Sequence, residues 1–317
     1  MDVKPELVRD IWVAGCQREH VYPETAFRID TPDCFFTHPV LSPDGTRIAF
    51  WGGEGQSVGI WTANLAPNRA ERWTANSEVC VHPDWSPDSK KIVYACSATK
   101  RPGPYFPPWG SYESNYSPRN LWMMNLNSAE KTQITDSDRD DERPAWSPDG
   151  QRVAYVSGAN GSKNLWLVDL SSGKSRQLTD TKTVFYRPAW HPGGRRLAFN
   201  NKGSGSHYLW TIHADGNGLA QVTHPERDGR ILHDHGAFWS RDGQEILFHS
   251  DRSGHWGLWI VNANGDNLRE IALPGFLQAS HPSWNRAESL IAFDAPRGAA
   301  KTRGNVATSL DRRSDVP

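Results

Sequence analysis

The chain has 317 residues, 35 Lys and Arg against 36 Asp and Glu, and 15 Trp. That charge balance argues against a nucleic-acid or membrane-surface partner, and no apolar run approaches the ~18 residues of a membrane span. Cys16, Cys34, Cys80 and Cys96 are scattered without a CxxC pair, which argues against a disulfide framework or a thiolate metal site. The first ten residues lack a basic start followed by an apolar stretch, so the expected location is the cytoplasm.

In chain order, Asp10-Ile-Trp-Val-Ala14 and Thr25-Ala-Phe-Arg-Ile-Asp30 read as two strands. From residue 38 one phrase recurs six times. The copies are His38-Pro-Val-Leu-Ser-Pro-Asp-Gly45, His82-Pro-Asp-Trp-Ser-Pro-Asp-Ser89, Arg143-Pro-Ala-Trp-Ser-Pro-Asp-Gly150, Arg187-Pro-Ala-Trp-His-Pro-Gly-Gly194, Gly236-Ala-Phe-Trp-Ser-Arg-Asp-Gly243 and His281-Pro-Ser-Trp-Asn-Arg-Ala-Glu288. From Leu41 through Trp85, Trp146, Trp190 and Trp239 to Trp284 the spacings are 44, 61, 44, 49 and 45. A period of ~40–45 carrying several short strands is the mark of propeller blades.

Each unit reads as four strands. Strand A is the His/Arg-Pro-x-Trp segment, closed by a Ser-Pro-Asp-Gly turn. Strand B is an apolar run such as Arg47-Ile-Ala-Phe50 or Lys91-Ile-Val-Tyr94. Strand C is of the Leu121-Trp-Met-Met-Asn125 type, and strand D ends at Ile134-Thr135, Leu178-Thr179 or Val222-Thr223. The sixth unit stops after strand B at Ile291-Ala-Phe-Asp294, and its missing strands are those of residues 10–31. The predicted fold is therefore all-β: a six-bladed β-propeller of four-stranded blades over residues 1–297, whose N-terminal strands complete the last blade and leave no open sheet edge. Residues 298–317 form a polar tail.

The residue three before the Trp is His38, His82, Arg143, Arg187, Gly236 and His281 in turn, and the fifth unit adds His233 and His235. Strand A lines a propeller's axis, so these residues are expected at its start, converging on one face. Buried imidazole and guanidinium groups without partners are costly; a metal, an anion or both would satisfy them. Imidazole suits Mn, Zn, Fe or Ni. The expected ligands of one divalent ion are His38, His82, His233, His235 and His281. Arg143 and Arg187 have the forked donors that hold a carboxylate or phosphate. Asp84 stands where the other units have Val, Ala, Ala, Phe and Ser, and reads equally as a substrate contact or a bond to the next blade. Residues 98–120 lengthen the B–C loop of unit two. They carry Tyr105, Phe106, Trp109, Tyr112 and Tyr116 with Lys100, Arg101 and Arg119, a candidate lid in which Tyr105, Trp109 and Tyr116 would contact substrate. Lys202, His207, Tyr208, Arg252, His255 and Trp256 are expected at the rim of the same face.

The repeated phrase over residues 38–297 resembles the WD40-like repeat of the TolB propellers. The histidine ring resembles that of the oligogalacturonate lyases. That resemblance implies a cytoplasmic enzyme in which His233 and His235 form the His-x-His pair on a divalent metal and His281 or another ring histidine is a further ligand. The family has seven blades and a Gln ligand where this sequence has six units and Arg230, which is counted here among the substrate contacts. The implied reaction is β-elimination from an anionic, uronate-containing oligosaccharide, with metal and arginines neutralising the carboxylate and His82, His38 or Tyr112 taking the proton. Metal-assisted hydrolysis would use the same parts. The competing reading is a non-enzymatic TolB-like module that holds a peptide or protein on the same face. A serine peptidase would require a second domain, and a calcium-type lactonase would require axial Glu, Asn and Asp.

Overall fold

A computed structural model describes residues 9–17, 20–32, 35–54, 57–97, 118–159, 162–181, 187–203, 205–224, 230–285 and 287–296. These residues form six four-stranded antiparallel sheets arranged as the blades of a ring. Most of the long loop of unit two, with Tyr105, Trp109, Tyr112 and Tyr116, and the 298–317 tail lie outside the described residues.

The A strands are Phe35–Leu41, Val79–Trp85, Asp140–Trp146, Ala189–Trp190, Asp234–Trp239 and Ser280–Trp284. Each pairs with a B strand: Arg47–Glu54, Lys91–Ser97, Arg152–Ala159, Arg196–Gly203, Glu245–Ser250 and Leu290–Pro296. Blade 6 takes its C and D strands from the start of the chain, Arg9–Gln17 and His20–Arg28. Arg9 through Gly15 lie opposite Pro296 through Leu290.

Each recurring residue of the phrase has a local task. The Ser and Asp lock the A–B turn: Ser42 Oγ donates to Asp44 at 2.6 Å, and Arg47 N donates back to Ser42 Oγ at 2.9 Å. The same bonds recur at Ser86 with Asp88, Ser147 with Asp149 and Ser240 with Asp242. In three of the five units that carry it, the Trp joins neighbouring blades. Trp85 Nε1 donates to Val40 O at 2.9 Å, Trp190 Nε1 to Ala145 O at 3.1 Å and Trp239 Nε1 to Ala189 O at 3.1 Å. The aromatic residue of strand B fills the space between sheets: Phe50, Tyr94, Tyr155, Phe199, Phe248 and Phe293 are all fully buried. Packing of these rings between stacked sheets accounts for much of the aromatic content.

The expectation about cysteine is corrected in one respect. Cys80 on strand A and Cys96 on strand B of blade 2 lie opposite one another in the ladder and are joined as a disulfide. Cysteines 16 residues apart carry no motif; only the hairpin register makes them neighbours.

Candidate functional site

The site is built on a backbone irregularity. In five blades the A–B ladder shifts register around the residue three before the Trp, a β-bulge. That residue lies in the left-handed region: φ is 53° at His38, 55° at His82, 54° at Arg143, 67° at Gly236 and 49° at His281. Glycine accepts this conformation freely, and histidine is among the side chains enriched there. The sequence reading put these residues at the start of strand A. They lie within the strand instead, because a bulge interrupts the pairing without ending it and re-aims the side chain.

The imidazoles form one continuous arc. Ring centroids are 5.3 Å apart from His82 to His38, 3.6 Å from His38 to His281 and 4.6 Å from His281 to His249. The arc continues at 5.5 Å from His249 to His235, 4.8 Å to His207 and 5.2 Å from His207 to His233. Trp51 packs against His38 and His82, and Trp256 stacks on His235. The structure thus brings His38, His82, His233, His235 and His281 into one chain of contacts and adds His207 and His249.

Carboxylates orient two of the rings. Asp294 Oδ2 accepts from His281 Nδ1 at 2.9 Å and also bonds the Thr37 hydroxyl and His38 N. Asp251 accepts from His233 Nδ1 at 2.7 Å and from His233 N at 2.9 Å. A carboxylate at Nδ1 leaves the Nε2 lone pair outward, as in oriented metal ligands. His207 Nδ1 and His235 Nε2 share a hydrogen bond of 2.6 Å. His38 Nε2 and His82 Nδ1 are buried without a hydrogen-bond partner. Burial, followed by neighbouring imidazoles and Arg143, pushes His38 well below the ordinary histidine range. His82, His235 and His249 are lowered in the same way, with burial the largest cause. Burial alone would raise Asp294, but Arg9, His281 and Thr37 outweigh it and hold the carboxyl well below its usual range. The donor set therefore combines buried imidazoles whose charged form is disfavoured at His38, His82 and His235 with carboxylate-oriented rings at His281 and His233, which suits a borderline divalent ion. One ligand atom from each of His38, His281 and Asp294 lies within 4.8 Å of the others.

A second repeat position supports the arc, and the sequence reading passed over it. The residue after the strand-B aromatic is Trp51, Ala95, Val156, Asn200, His249 and Asp294. In three consecutive blades its side chain accepts the N–H of the next blade's bulge residue. Asn200 takes Gly236 N at 3.2 Å, His249 takes His281 N at 3.3 Å and Asp294 takes His38 N at 3.2 Å. Alignment of the B strands, rather than of the Trp phrase, is the signal that locates His249 and Asp294.

The two arginines part company. Arg143 stays beside the arc, 3.6 Å from Glu142. Glu142 also meets Arg119 at 2.8 Å and Lys163 at 2.5 Å, and both cations pair with Asp140. Arg119 is thus part of a buried ionic network rather than a lid cation. Arg187 lines the opposite mouth of the axis. There a cavity of about 360 Å³ is bounded by strand A ends and A–B turns from all six blades. Its guanidinium lies 3.4 Å from Asp84 and over the Phe238 ring at 4.4 Å. Asp84 accepts from Trp146 N of the next blade at 2.7 Å, and burial raises its carboxyl against the pull of Arg187. Arg230 is exposed and donates to Arg252 O at 3.3 Å.

A family model described as the TolB beta propeller domain matches residues 110–313. Dipeptidyl-peptidase 5 of Porphyromonas gingivalis is 38% identical over 77 residues, 24% of this chain and 10% of that protein. The curated relatives that match are covered over 10 to 24% of their own length. A candidate TolB from Agrobacterium tumefaciens superposes with a TM-score of 0.66 at 17% identity, covering 91% of this chain and 98% of that one. An oligogalacturonate lyase in complex with manganese superposes at 0.57 with 14% identity, covering 86% and 93%. At these identities the likeness is one of fold.

Proposed function

The chain belongs to the TolB β-propeller domain family, and from that premise we propose that it is a metal-dependent enzyme that cleaves an anionic, uronate-containing oligosaccharide by β-elimination. The observation that carries the reading is the axial arc, in which buried imidazole nitrogens of His38 and His82 stand without a partner. A propeller of the same fold that binds manganese and bears the name oligogalacturonate lyase supports it.

The residues that would hold the ion are those of the arc other than His82, with His281 and His233 oriented by Asp294 and Asp251. A divalent ion there would supply charge stabilisation to a substrate carboxylate, so that the neighbouring carbon can release its proton. Arg143 lies on the same side and would share that charge. His82 is the proposed base. Burial, then Arg143, Arg119 and Lys163, keep its ring neutral, and its Nδ1 is free to accept a proton. Tyr105, Trp109 and Tyr116 of the long loop are proposed substrate contacts, and the cytoplasm is the proposed location.

One observation favours the competing reading, a binding module for a peptide or protein. Arg143 and Arg187 are each already near a carboxylate, Glu142 and Asp84, which reduces the charge available to a substrate anion. Elemental mass spectrometry on untagged protein purified without chelator or added metal separates the two. Stoichiometric Mn, Zn, Fe or Ni, with unsaturated products released from uronate oligosaccharides, is the expected result. No metal, together with no thermal stabilisation on adding one, would overturn the enzyme reading.

A further inference from the structure

We infer that the imidazole arc holds two separate divalent-metal sites, with His249 as the barrier between them; the inference rests on the metal-dependent reading above and divides its single site. The barrier follows from hydrogen-bond roles. His281 N is a backbone donor and can only donate, and it donates to His249 Nδ1 at 3.3 Å. His249 Nδ1 therefore presents its lone pair to the backbone, and the neutral ring carries its proton on Nε2. A neutral imidazole in that tautomer has no second lone pair for a metal. His249 thus serves the fold, as Asn200 and Asp294 do in blades 4 and 6.

The rings on either side have lone pairs to offer. On one side, His38 Nε2 is buried and unpartnered, and His281 is held at Nδ1 by Asp294, which leaves Nε2 for a ligand. These two residues and Asp294 place one ligand atom each within 4.8 Å of one another. On the other side, His233 is held at Nδ1 by Asp251 and packs against His207, whose Nδ1 faces His235 Nε2 at 2.6 Å. An ion held by those two nitrogens would take the place of their mutual hydrogen bond. Each site would draw on at least two imidazoles, with one ring of each oriented by a carboxylate, Asp294 or Asp251.

The test is zinc stoichiometry on the full 317-residue chain by equilibrium dialysis and native mass spectrometry, with tryptophan fluorescence reporting folding. Two ions per chain are expected in the unaltered protein. His281→Asn and His235→Asn should each keep one ion, Asn being tolerated at the left-handed φ of position 281. His249→Asn should keep two, because Asn accepts the backbone N–H as Asn200 does. One ion in the unaltered protein, lost in both site variants, overturns the two-site inference while the metal-dependent reading stands. A lost ion in His249→Asn overturns the role given to that residue. No ion at all overturns the metal reading itself. The unaltered protein alone decides between one site and two if a variant fails to fold.

Discussion

Arg9 ties ring closure to the site, and its removal is a sharp perturbation. The side chain comes from the N-terminal strand of blade 6, is 3% exposed, and reaches the fully buried Asp294 at 2.6 Å. It also donates to the Asp294 carbonyl at 3.1 Å. Arg9→Met keeps most of the aliphatic packing and removes the charge. Breaking a buried pair by deleting one partner costs about 3–5 kcal/mol. Here the Thr37 hydroxyl, His38 N and His281 still face the orphaned carboxylate, so the lower end, about 3 kcal/mol, is expected. Against a total stability of about 5–15 kcal/mol that is a large fraction. Urea unfolding followed by tryptophan fluorescence measures it, with an unchanged denaturant slope expected. Adding Asp294→Asn should recover about 1–3 kcal/mol of that loss as a coupling energy. A loss below 1 kcal/mol, or additive single and double variants, would refute the claim that this pair fastens the ring.

Further outcomes follow from the same physics. Trp190→Phe should cost about 1 kcal/mol more than Trp146→Phe, since the first indole N–H bonds Ala145 O and the second has no partner; equal losses would deny the blade-to-blade bond. Burial alone would raise Glu142, but Arg119, Lys163 and Arg143 outweigh it and hold its carboxyl below the ordinary range. With the folded value below the unfolded ~4.3, Glu142 stabilises fully above that pH, and the contribution fades as pH falls through the folded value. The stability gap between the unaltered protein and Glu142→Gln should therefore shrink on acidification, and a constant gap would count against the network. Cys80 and Cys96 should resist alkylation in the unfolded chain until reductant is added. Opening their 16-residue loop should cost about 3 kcal/mol.

The fold was legible because five of the six units repeat the Trp and four repeat the Ser-x-Asp turn, and because the incomplete sixth unit pointed to residues 10–31 for its missing strands. The site was half legible. His38, His82 and His281 stand at one place in the phrase, and that place showed their convergence, but nothing in a residue code states that the backbone there is left-handed. His249 and Asp294 follow the buried aromatic of strand B, a position held by Trp, Ala, Val and Asn elsewhere, so no single repeat drew attention to it. Arg187 shares the place of Arg143 in the phrase yet faces the other mouth, where Asp84 and Phe238 receive it. Like spacing did not fix the side-chain direction: Arg143 lies on the bulge of the strand Asp140–Trp146, whereas Arg187 precedes the short strand Ala189–Trp190.

What the fold itself requires can be subtracted from the arc. The bulge needs a residue that tolerates positive φ, and Gly236 meets that need without an imidazole. The bulge N–H needs an acceptor, and His249 meets that need for His281. Neither requirement explains His82, which holds a strained φ of 55° and buries Nδ1 without a partner. Strain at such a φ costs about 1–3 kcal/mol, and an unmet buried nitrogen costs about 1–3 kcal/mol. The return is ring contact with His38 and Trp51. His82→Gly should therefore leave the chelator-treated protein within about 1 kcal/mol of its starting stability, lost packing and the flexibility of glycine offsetting the relief. A loss above about 2 kcal/mol in urea unfolding would make His82 a structural residue. A neutral result would mean that the fold gains nothing from this imidazole, so that its reason lies in what the axis binds.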